Sequence, residues 1–213
     1  MFKTIKDIFK IKNILPTILY SSIPALLFYI LSFNILKSFD YSTMEIIRDF
    51  AQQVHKSSFL GFLSTIGSWM WVSSAAIGFF TYMTGMYGKK YKELLLLLAL
   101  FSMLLAIDDF FMIHDRYIDQ NICYGTYMIL AITLLVRHLK LIIEINGFAF
   151  LFAGGLLALS IFTDLIQEYL PFKYSNIQIF EEAFKFIGAG TWLYFVSLVG
   201  SYYLIETVNK KKR

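Results

Sequence analysis

The stretch 94-LLLLLALFSMLLAIDD-109 sets the reading of the whole chain. Positions 94–107 are apolar except for Ser102, and the run ends in two adjacent acids, Asp108 and Asp109. The same pattern recurs twice. The run Phe148–Ile166 closes on Asp164 and Glu168, and Glu181, Glu182 and Lys185 open the run Phe184–Leu204. Ionisable groups at membrane depth are expensive, so they normally face a bundle interior or water and mark a working site.

Composition agrees with a membrane chain. Of the 213 residues, 58% are hydrophobic and 16% charged, whereas soluble domains have about 45–50% and about 25%. The excess is gathered in runs of about 20 apolar residues, the length that crosses roughly 30 Å of hydrocarbon. The runs are continuous rather than alternating, which disfavours a β-barrel. The expected fold is therefore all-α, a polytopic helix bundle with about six transmembrane spans near 14–36, 59–83, 93–113, 121–143, 147–168 and 179–205. Residues 1–213 read as one integral membrane domain, with a basic amphipathic segment at 1–13 and a basic tail at 206–213. Ile14–Leu36 exceeds a signal h-region of roughly 7–15 residues and reads as a retained first span. Cys123 is the single cysteine, so no intrachain disulfide forms, and it reads as a small buried hydrophobe.

Loop charge sets the orientation. The N-terminus, the 84–92 and 137–146 loops and the C-terminus hold thirteen Lys and Arg, against five on the other side. Both termini are thus expected in the cytoplasm of a cell-membrane protein. The acids at the ends of spans three and five and the start of span six then share the outer half of the bundle. The outer loop 37–58 holds a capping box, Ser42 with Glu45, ahead of an apolar stripe at Ile46, Ile47, Phe50 and Val54. One interfacial helix is expected there.

Residues three or four apart share a helix face. Gln178, Glu181, Glu182 and Lys185 form such a stripe, as do Ser160, Asp164, Gln167 and Glu168, and Gly61, Ser64 and Ser68. Asp109 lies about 100° round the helix from Asp108. His114 points away if its helix continues and turns inward if the helix ends near Ile113. Aromatic residues such as Trp69, Trp71 and Tyr124 read as packing or interface-belt residues, and His138, beside Arg137 and Lys140, as an interface residue.

Six acids against one internal base, Lys185, cannot all ionise in a dry site without partners. Protonation, water or a bound cation would relieve them. The expected roles follow. Asp108, Asp109, His114 and Asp164 are the candidate ligands of a divalent metal ion, which would lower the pKa of its bound water toward about 7. Glu181, Glu182 and Lys185 are the candidate catalytic groups. Ser64, Ser68, Glu168 and Gln178 are the candidate substrate contacts. A cation-dependent hydrolase acting on a lipid or peptide at the outer interface is the leading expectation. A cation or proton pathway is the alternative, although the inner half offers little beyond Ser73, Ser74, Thr133 and Thr191. A sensor or scaffold subunit is the third. Membrane lipids are the expected partners, with a homo-oligomer or a partner membrane protein left open. The net charge of +4 sits in loops and tails and does not point to nucleic acid.

Glu181-Glu182-Ala-Phe-Lys185 resembles the EExxK motif of PrsW-type intramembrane metalloproteases over five residues. That family's companion FExxE and HxxxD patterns are absent, so the resemblance implies no activity here.

Overall fold

The computed structural model describes Leu19 and residues 23–47, 53–57, 59–84, 89–169, 171 and 173–211. Every regular element among them is helical: α1 Ile23–Ser38, α2 Thr43–Ile47, α3 Phe62–Thr84, α4 Lys89–Phe111, α5 Ile113–Arg116, α6 Gln120–Ile166 and α7 Tyr174–Lys211. The contacts divide the chain into two compact units, Met1–Leu60 and Gly61–Arg213.

In the first unit the apolar run continues as α1, which closes on Lys37 and turns at Asp40 (φ 65°). The capping box forms as expected. The Ser42 N–H donates to Glu45 Oε2 at 2.7 Å and the Glu45 N–H to Ser42 Oγ at 3.2 Å. The helix it starts, α2, covers Thr43–Ile47; Phe50, further along the expected stripe, lies outside the described residues. So do residues 1–13 and the opening of the expected first span.

In the second unit, stretches within α3, α4, α6 and α7 are long and apolar enough to cross a membrane. The 47-residue α6 contains two of the expected spans. Its backbone leaves helical geometry at His138 (φ −118°, ψ 20°) and Asn146 (φ −170°, ψ 83°), and the Asn146 side chain caps the next turn by accepting from the Ala149 N–H at 3.0 Å. A straight helix would set Tyr124 and Asp164 about 60 Å apart. Their side chains instead hydrogen-bond at 3.0 Å, so the two arms of α6 fold back on each other. His138, expected at the membrane interface, lies at this bend and is buried.

Small side chains let the helices approach. A methyl group on Gly78 would stand 2.8 Å from Ala99 Cβ, and one on Gly200 3.0 Å from Thr81 Oγ1. The core joins Trp71, Leu94, Leu95, Leu98, Phe150, Trp192, Phe195 and Val199. Trp192 stands edge-on to Phe101 at 5.4 Å, and its indole N–H donates to the buried Ser102 hydroxyl at 2.9 Å. That hydroxyl passes its own proton to the Leu98 carbonyl at 2.7 Å, so no polar atom of the trio is stranded.

Candidate functional site

α4 stops at Phe111 because Met112 adopts a left-handed conformation (φ 52°, ψ 48°). A side chain there costs about 1–2 kcal/mol. The bend throws the next residues back along α4. Asp108, 5% exposed, thereby receives the His114 backbone N–H at Oδ1 (2.9 Å) and His114 Nδ1 at Oδ2 (2.7 Å). The backbone bond satisfies one of the unpaired N–H groups that open the short α5. Tyr127 sets its phenol against the same carboxylate and against the Cys123 thiol. Cys123 itself is buried, as expected. An ionised Asp108 fixes the proton of a neutral His114 on Nδ1, which makes Nε2 the basic nitrogen.

Asp109 faces the other way. It accepts from Ser68 Oγ of α3 at 3.1 Å and pairs with Lys185 of α7. Asp164 is held by the amides of Gln120 and Gln167 and by the Tyr124 hydroxyl. Gln178 donates to Glu181 Oε2 at 2.7 Å. The His114 and Tyr124 rings lie 5.7 Å apart, which joins the Asp108 and Asp164 groups.

These groups stand at one end of a cavity of about 710 Å³, within the usual range for ligand sites. Asp108, Asp109, His114, Tyr124, Tyr127, Glu181 and Lys185 line its polar end. Trp71, Phe101, Phe150 and Trp192 line its deep apolar part. Gly154 and Gly155 widen it, since a methyl group on either would meet no atom within 4 Å. Met128, Ile132, Leu151 and Phe162 also line it and are each more than half exposed, so the cavity opens sideways.

The expected stripes thus converge in part. Asp108, Asp109, His114, Glu181 and Lys185 share the cavity, while Ser68 reaches it through Asp109 and Gln178 through Glu181. Ser64 and Glu182 line a separate small crevice behind Asp109 and Lys185. Asp164 touches the cavity only through Tyr124, and the Glu168 side chain lies outside the described residues. Tyr124, Tyr127 and Gln120 were not expected as site residues. The clue available in the sequence was their spacing of three and four at the start of a span whose end carries Asp164. Among the described residues, no three of His, Cys, Asp and Glu gather closely enough to hold a metal ion. Asp109 is committed to a cation and a hydroxyl, and Asp164 to two amides and a phenol.

No curated protein and no solved structure matches the chain. A family model described as a domain of unknown function, DUF8692, matches residues 23–199, and the chain belongs to that family.

Proposed function

We propose that the protein is a membrane-embedded hydrolase that acts on an acyl bond near the head of an amphipathic substrate. Asp108 and His114 serve as its acid–base pair. The chain crosses the cell membrane six times with both termini cytoplasmic, and the polar end of the cavity faces the outer leaflet. The observation that carries this reading is the doubly bonded Asp108–His114 contact at the head of a long apolar cavity. A carboxylate that orients an imidazole through Nδ1 is the arrangement general-base catalysis needs.

In the proposed step, water adds its oxygen to the acyl carbon while His114 Nε2 takes its proton. The bond from that carbon to the leaving oxygen or nitrogen then breaks, and the imidazolium returns the proton to the leaving atom. Asp108 stays ionised and stabilises the imidazolium. The Lys185 ammonium lines the same end of the cavity and is the donor proposed for the developing oxyanion. Among the described residues, no third His, Cys, Asp or Glu joins Asp108 and His114 closely enough to hold a divalent cation.

A pathway for ions is less well supported. Ser74, Thr133 and Thr191, the inner hydroxyls, donate to carbonyls of their own helices at 2.7–2.8 Å, and a relay needs polar groups along its length.

The test is turnover in lipid nanodiscs supplied with a mixed amphipath extract and followed by untargeted mass spectrometry. Wild type is expected to consume one class of amphipath and release its acyl product, while His114→Gln and Asp108→Asn lose about 10²-fold or more of that rate. Equal consumption by wild type and His114→Gln overturns the assignment.

A further inference from the structure

We propose that the cavity seats one hydrocarbon tail taken sideways from the bilayer, and that its ligand is a single-chain amphipath held with its head toward Asp108 and His114. This deepens the hydrolase reading above and rests on it for the position of the head.

The inner end of the cavity is an aromatic floor. Phe101 of α4, Phe150 of α6 and Trp192 of α7 all line it, and the Trp192 ring stands 5.4 Å from Phe101 and 5.6 Å from Phe150. The Trp192 indole N–H donates to the Ser102 hydroxyl at 2.9 Å, which fixes the floor in place. Asp108 lies seven positions from Phe101 along α4, and Glu181 eleven from Trp192 along α7. At about 1.5 Å per residue the space for a tail is roughly 10 to 16 Å deep, close to the roughly 15 Å of one hydrocarbon leaflet. A carbon chain advances roughly 1.3 Å per methylene, given ordinary bond lengths of about 1.5 Å. A tail of roughly 8 to 13 carbons therefore reaches the floor.

Volume argues for one tail. At roughly 30 Å³ per heavy atom, the share of a water molecule in the liquid, the 710 Å³ hold about two dozen atoms. One tail of this length with a small head fits that space. Two tails that share a head begin within a few atoms of each other, so a head at His114 would bring both in, and both do not fit. The way in is lateral. Met128 and Ile132 on the first arm of α6 and Phe162 on the second line the cavity and are each more than half exposed, so in a membrane this open side meets lipid tails. A bilayer is as apolar as the cavity wall, so a tail gains little by leaving one for the other, and packing decides what stays. Gly154 and Gly155 make the room, since a methyl group on either would meet no atom within 4 Å.

Trp71 and Trp192 make the test direct, because both line the cavity and are 2% and 1% exposed. Trp69, 62% exposed, is replaced in a Trp69→Phe background. The protein is held in nanodiscs of unbrominated lipid, and the probes are glycerol ethers, which a hydrolase of acyl bonds does not cleave. The first has a single tail of about twelve carbons, within the depth of the cavity, brominated at its far end. The second is the same tail brominated beside the head, and the third is a two-tail ether brominated at both far ends. The expected result is saturable quenching by the first probe, loss of most of it when the bromine moves to the head, and no saturable quenching by the two-tail ether. Gly155→Leu, whose side chain enters open space, is expected to abolish the saturable component, and Ala158→Leu to weaken it.

Equal quenching by the end-brominated and head-brominated tails overturns the placement of the tail on the aromatic floor. Saturable quenching by the two-tail ether overturns the single-chain assignment. Unchanged quenching in Gly155→Leu and Ala158→Leu proteins that melt like wild type overturns the site itself. These outcomes are separate from the hydrolase reading, since His114→Gln should keep the quenching while losing turnover. Saturable quenching in a wild type that turns nothing over would sink the reaction and leave the tail seat in place. Turnover without saturable quenching would sink the seat and leave the Asp108–His114 pair in place.

Discussion

Two residues carry the site, and each was legible to a different degree. Asp108 is exceptional already in the sequence, as an acid closing a long apolar run. The direction of His114 depended on where that helix ends, and Met112 decides it. Periodicity does not reveal a left-handed residue that is not glycine, because it is paid for by bonds formed only after folding. Met112→Gly is expected to keep the bend and leave stability unchanged or raise it by up to about 1 kcal/mol, whereas Met112→Val should lower it by about 1–2 kcal/mol. Thermal unfolding in detergent reads both. Lys185→Ala leaves Asp109, whose side chain is 7% exposed, without its cation. The expected cost is about 3 kcal/mol, the low end for breaking a buried pair because the Lys185 side chain keeps 31% exposure. Lys185→Met with Asp109→Asn should recover most of the loss. If the single and double variants melt alike, Asp109 does not depend on this pair.

The helices were read well in position and less well in register. The expected spans 59–83, 93–113 and 179–205 correspond to α3, α4 and α7, and 121–143 with 147–168 to the two arms of α6. Apolar runs of this length leave the chain few alternatives. Helix ends are set by caps and small bends, which hydropathy does not register. Packing between helices turns on single glycines, and two substitutions should separate tight from open sites. Gly78→Ala puts a methyl group 2.8 Å from Ala99 Cβ and should cost about 1–3 kcal/mol. Gly154→Ala meets open space and should stay within about 0.5 kcal/mol of wild type in the same unfolding assay. The capping box of α2 was fully legible, since it is local. The Ser42 side chain, then its backbone N–H, hold the Glu45 carboxyl below its ordinary value near 4.5, with Lys37 adding a smaller pull. An acid lowered by folding adds stability above its unfolded value and loses it as pH falls through the folded one. The protection factors of the Glu45 and Ile46 amides, corrected for intrinsic exchange at each pH, should therefore be unchanged from about pH 7 to 5 and fall at pH below the ordinary glutamate value. Protection that persists there would show the cap to be idle.

At the scale of the molecule, spacing showed which residues share a face but not how far round each helix faces its neighbours. The expected single pool of six acids is instead divided. Asp108, Asp109 and Glu181 line the cavity, Glu182 faces another crevice, and Asp164 is tied into an amide and phenol cluster. Rotation about each helix axis is fixed by packing, and a lone sequence carries little of it. The proposed orientation has its own test. In a Cys123→Ala background, a cysteine at Ser57 should react with an impermeant maleimide added outside intact cells, while one at Lys211 should react only after lysis; the reverse pattern contradicts cytoplasmic termini. The hydrolase account itself stands on a proton held on Nδ1 of His114 by a carboxylate six residues back. Imidazole ¹⁵N NMR in nanodiscs reads it, with His55→Gln and His138→Gln used to assign the signals. A neutral Nδ1–H ring whose proton exchanges slowly, and which loses that signature in Asp108→Asn, is the predicted result. A ring carrying its proton on Nε2, or shifting freely between the two nitrogens, would contradict it.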